Sequence, residues 1–84
     1  MVEPKPDEYH RRFVGPAEAL ERSIAAAPND LSLWIELIVH YWVMTETGVV
    51  CALGAPGPLM WQACTRRQQL LAAAKERFGA APRL

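Results

Sequence analysis

An excess of charge of either sign is what this sequence most plainly lacks: nine Lys and Arg are balanced by nine Asp and Glu. Binding to phosphate backbones relies on clustered cations, so nucleic acid is not expected as the main partner. Cysteine is scarce too. Cys51 and Cys64 are thirteen positions apart, which matches none of the usual zinc-site spacings and makes no disulfide framework. They read as reduced thiols of a cytoplasmic protein. The polar N-terminus MVEPKPDEYHRR carries no apolar signal core. The apolar run from Leu31 to Met44 is short and interrupted by Glu36 and His40, which argues against a membrane span. G-x-S-x-G, a phosphate-cradling glycine loop and paired carboxylates are all missing. The expectation is a protein that is not an enzyme and holds no cofactor.

What the chain does have is apolar surface in a small length. Its 84 residues are 51% hydrophobic and 21% charged, the balance of a single folded domain, 1–84, near the size where one core is barely sufficient. A neutral domain of this kind gains from a partner or from self-association. Its organising stretch is Leu31 to Thr47, LSLWIELIVHYWVMTET. At about 100° per residue, Ser32, Val43, Glu36, Thr47 and His40 share one narrow arc, and the rest of the circumference is mostly apolar. Such a helix requires neighbours on several sides.

The remaining elements follow in order. Residues 1–6 read as a flexible tail, and Asp7 as the cap of a short helix to Val14 with Tyr9 and Phe13 on its buried side. Gly15-Pro16 reads as a stop followed by a start. A second helix, Pro16 to Ala27, then forms an antiparallel hairpin with the central helix across Pro28-Asn29-Asp30. Val49 to Leu53 reads as a helical turn or ordered loop, and Gly54 to Pro58 as punctuation. Pro58 opens the last helix, which runs to Phe78 with Gly79 as its cap, and 80–84 should fray. The predicted fold class is all-α: a small bundle of three main helices, one short N-terminal helix, and a central hydrophobic helix, 31–47.

Few residues invite a chemical role. The last helix gathers Leu59, Met60, Ala63, Cys64, Leu70, Leu71, Ala74 and Phe78 on one face, with Arg67 near its middle and Arg66 pointing away. The stem of Arg67 can cover apolar surface, or its head can pair with an acid such as Glu36 or with a partner. Trp61 lies off that face, either packed under the glycine–proline turn or exposed as an aromatic anchor. Glu36 and His40 form an i,i+4 pair on the polar stripe. A metal or ligand site built from His40, Glu36 and Cys64, with His10 and Cys51 in reach, is the alternative of another class. The expected partner-binding residues are Tyr41, Trp42, Trp61 and Arg67, with no metal ligands.

Two stretches resemble known families. Leu20, Ser23, Pro28, Asp30, Trp34, Leu37 and Tyr41 are similar to the junction between two tetratricopeptide repeats, over less than a third of the chain. Trp34, Tyr41-Trp42, Gly48, Leu53, Pro56-Gly57-Pro58-Leu59 and Trp61-Gln62 resemble small phage and prophage proteins akin to tail-assembly chaperones. In those, an aromatic-rich helix is followed by a glycine-containing linker, a proline turn and a Trp. Here the turn reads Ala55-Pro56 in place of Gly-Pro, and an arginine usual in the linker is absent. The second resemblance implies a role without catalysis: shielding another protein, a phage structural protein, during tail assembly. A self-associating helical adaptor, including a homodimer, or a phage-encoded inhibitor of a host protein fits the same apolar surplus.

Overall fold

Helix is the only regular structure among the described residues, which in this computed structural model are 6–46, 49–50 and 57–83. The described residues open with one helical turn, α1 (Pro6–Tyr9), which takes in Pro6 and Asp7 in place of the expected tail end and cap. The helix widens into a π-helical turn, His10–Val14, and continues without a break as α2 (Gly15–Ala26). α3 (Leu31–Met44) and α4 (Gly57–Phe78) complete an all-α bundle. The predicted fold class is correct.

Gly15-Pro16 does not separate two helices, contrary to the sequence reading. In an uninterrupted α-helix the ring of Pro16 would collide with the carbonyl four residues earlier. The wider turn relieves that conflict. The Gly15 N–H reaches back five residues to the His10 carbonyl, and Pro16 enters α2 in its first turn, where a missing N–H is not needed. Tyr9 and Phe13 still meet on the buried side, with ring centroids 5.3 Å apart.

The hairpin between α2 and α3 forms as expected. Asp30 is the N-cap of α3, and its carboxylate accepts from the Ser32 N–H at 3.1 Å. The Trp34 indole N–H donates to the Pro28 carbonyl at 3.0 Å, which fixes the turn against the helix that follows it. α3 stops at Met44, short of the expected Thr47, a residue outside those described. Its last carbonyls find other donors. Thr45 returns both its N–H and its hydroxyl to the Trp42 carbonyl, Glu46 returns its N–H to Val43, and the buried Tyr9 hydroxyl donates to the Met44 carbonyl at 2.7 Å. Beyond it, Val49 and Val50 are helical, with the Val50 N–H bonded to the Glu46 carbonyl. The expectations for Cys51 to Pro56 lie outside the described residues. α4 begins one residue before Pro58 and ends where expected. Gly79 there takes a φ of 80° and returns its N–H to the Lys75 carbonyl.

α3 packs most extensively on α4 and next on α2, in the middle of the three long helices. The buried core draws on every helix: Tyr9, Ala17, Ile24, Trp34, Leu37, Ile38, Met44, Ala63, Leu70 and Ala74. Where α4 ends, Phe78 packs edge-on against Trp34 and the Arg77 guanidinium lies 5.8 Å from the Trp34 ring centre. Arg77 also donates to the Asn29 side chain at 3.0 Å. The last turn of α4 is thereby fastened to the α2–α3 turn, so α3 and α4 run antiparallel.

Gly15 has a φ of −59°, and, its neighbours in the chain aside, an added Cβ would come no nearer than 3.6 Å to any atom, the His10 carbonyl oxygen being the first met. Gly15 stands in the αR region directly before Pro16, however, and the proline Cδ crowds a Cβ on the residue before it. Gly15→Ala is therefore expected to forgo the gain of about 0.5–1 kcal/mol usual for such an exchange in a helix. Urea denaturation checks this as a midpoint that does not rise, at an unchanged slope.

Candidate functional site

The four residues expected to bind a partner fall into two environments. Tyr41 is half-buried and turned inward, its hydroxyl donating to the Glu21 carboxylate at 3.0 Å. Trp42 is 48% exposed and Trp61 72% exposed. Arg67 is half-buried and, with Trp42, Gln68 and Leu71, lines a shallow depression of about 260 Å³ between α3 and α4. The structure thus joins Trp42 to Arg67 and separates both from Tyr41. Trp61 stands free on the outer side of α4.

Arg66 does not point away from the bundle, as the helical wheel had it. Its guanidinium grips Glu21 of α2 with two hydrogen bonds, each 2.8 Å long. The reason is the position of α2, which lies beyond the face that α4 offers to α3. Ala63 and Ala74 let the backbones of α3 and α4 approach, and Arg66 is long enough to cross to α2. Arg67, by contrast, stays half-buried beside Trp42, Gln68 and Leu71. The alternative pairing with Glu36 does not occur, and Glu36 is exposed.

Glu21 is consequently the node where three helices meet. Arg66 holds its carboxyl below the usual carboxylate range, outweighing the opposing effect of burial. Burial, reinforced by the Glu21 charge, pushes the Tyr41 hydroxyl well above its ordinary value. This node was missed in the sequence because its members lie on three separate helices, at spacings that mark no motif. Beside it, Val14, Ala17, Met44, Leu59 and Ala63 floor a half-open cavity of about 270 Å³, with Tyr41, Arg66, Gln62 and Glu18 at its rim.

His40 is not on the solvent stripe. It is half-buried, and its Nε2 lies 2.8 Å from the Phe13 carbonyl. A carbonyl only accepts, so the proton sits on Nε2 and the contact holds the π-helical turn against α3. Glu36 and His40 therefore part company, and Cys64 lies half-buried on α4. Among the described residues, no three His, Cys, Asp or Glu side chains gather where a metal ion could be held. Nor is any described helix long and apolar enough to cross a membrane.

The Glu21 node carries a pH dependence whose sign follows from the lowered carboxyl. Stability from this group is present above the ordinary value of 4.5 and is lost as pH falls through the lower folded value. The Arg66 side chain remains 42% exposed, which keeps the energy small. Glu21→Gln is expected to cost about 1 kcal/mol near neutral pH. Urea titrations run toward about pH 3 should show the gap between wild type and variant closing.

Compared with known proteins, this chain matches no family model, no curated protein and no solved structure.

Proposed function

We propose that this chain is a non-catalytic protein–protein interaction domain that binds through the outer side of α3 and α4. The observation that carries the reading is the exposure of two tryptophans, Trp61 at 72% and Trp42 at 48%, the latter beside Arg67. Tryptophan and arginine are the side chains from which interfaces most often draw their energy. Leu31, Val39 and Val43, also exposed, extend the same apolar surface along α3. Tyr41 serves this role indirectly, by holding α3 to α2 through Glu21.

For the client we propose a phage structural protein, shielded in the manner of a tail-assembly chaperone. Support for this narrower reading comes from the order Trp34, Tyr41-Trp42, Gly48, Pro56-Gly57-Pro58 and Trp61, and from the physical fit of an apolar helical surface to an aggregation-prone helical client. Gene order tests it directly: a major tail protein gene upstream and a tape-measure gene downstream are expected, and their absence would count against the client.

The surface itself is tested by Trp61→Ser and Trp42→Ser against the products of the neighbouring genes. Trp61 is largely outside the core, so its loss should change stability by no more than about 1 kcal/mol. Trp42, about half covered, should cost about 2–3 kcal/mol, within what a folded variant can bear. Binding measured by calorimetry is expected to weaken at least about tenfold for each. Unweakened binding by two well-folded variants would place the interface elsewhere.

A further inference from the structure

The exposed apolar residues of α3 form a stripe with unlike borders. Leu31, Ile35, Val39 and Trp42 fall within about 80° of arc. Leu31, Val39 and Trp42 are exposed and Ile35 is half-buried. On one side lies α4, which contributes Leu71 to the surface and Arg67 and Lys75 as its cations. On the other flank of the stripe stands Glu36, exposed.

The heights of these charges matter. α3 and α4 are antiparallel, with Trp34 level with Phe78 and Trp42 level with the turn from Arg67 to Leu71. Counting residues between those two levels at equal rise sets Lys75 at the height of Glu36. The stripe is thus apolar along its length, cationic on one border and anionic on the other, with the opposite charges at matching height.

We propose that a second copy of this chain covers the stripe, with the two-fold axis running parallel to α3. That symmetry sets α3 beside α3 in register and turns the cationic border of each copy toward the anionic border of the other. Lys75 of one copy then meets Glu36 of the second, twice over. An antiparallel pairing would instead bring the two α4 borders together, with Arg67 and Lys75 facing like charges. The intervals from Leu31 to Ile35 to Trp42, four and seven residues, also suit a parallel two-stranded seam, with β-branched Ile35 at one of its inward positions. The proposal rests on the reading of this face as a protein-binding surface, and it makes a second copy the occupant of the stripe while no client is bound, so that a client competes with the dimer for Trp42.

Sedimentation velocity from about 1 μM to about 1 mM tests it, with Glu36→Lys, Lys75→Glu and the double exchange. Both residues are exposed, and circular dichroism checks that each variant is folded. A concentration-dependent dimer is expected, weakened about tenfold by either single reversal and restored to within about threefold of wild type by the double exchange. A wild type that stays monomeric throughout overturns the proposal, as does a double exchange no tighter than the singles. If a monomeric wild type still binds a neighbouring gene product in a Trp42-dependent way, the occupant is a different protein and the binding surface stands. If the dimer behaves as expected but no other protein depends on Trp42 or Trp61, the dimer stands and the client reading fails.

Discussion

Leu37 and Ile38 are consecutive on α3 and point about 100° apart, yet both are wholly shielded from water. Two neighbours on two flanks are needed for that, and α2 and α4 provide them. Each of these helices buries its small and branched residues, Ala17 and Ile24 or Ala63, Leu70 and Ala74, largely against α3. Losing the side chain of Leu37 or Ile38 would typically cost about 2–5 kcal/mol. That is a large share of the stability ordinarily found in a domain of this length. With every long helix leaning on α3, no helix remains among the described residues to cover its outer side.

Polar groups secure what apolar packing leaves loose. α2 and α4 approach each other chiefly through the Arg66–Glu21 pair, and Tyr41 ties the same carboxylate to α3. At the N-terminal end the Tyr9 hydroxyl and the His40 ring perform comparable work in opposite directions. Tyr9 reaches from α1 to a carbonyl at the end of α3, and His40 reaches from α3 to a carbonyl of the π-helical turn. Each contact satisfies a polar group that would otherwise be costly to bury. Among the described residues, no buried side-chain nitrogen or oxygen is left without a partner.

The helices, the hairpin turn and the Gly79 cap were legible in the sequence because each depends on local spacing and on residues with narrow backbone preferences. Asp30, Pro58 and Gly79 carry that information by themselves. The failures have one cause in common, which is that a wheel drawn for one helix does not know where its neighbours stand. Arg66 was misjudged because α2 lies off the α3–α4 plane, and His40 because the π-helical turn brings a carbonyl to it. Gly15-Pro16 was misread for a different reason: a widened turn lets a helix carry a proline that an α-turn would reject. Trp42, Trp61 and Arg67 were noticeable as isolated residues. That Trp42 and Arg67 line one depression while Tyr41 faces inward could be decided only by the packing.

The exposed stripe and the core belong to the same helix, and this couples recognition to folding. Whatever covers Leu31, Ile35, Val39 and Trp42 binds a surface that exists only when α2 and α4 hold α3 in place. Such a ligand stabilises the folded chain by mass action, by an amount that grows with its concentration over its dissociation constant. In a domain this small, a gain of even about 2 kcal/mol raises the ratio of folded to unfolded chain about thirtyfold. Glu36 on one flank and Lys75 on the other contribute little energy while exposed. In the proposed dimer they select orientation, because an apolar stripe alone tolerates several pairings and unlike borders at equal height favour one.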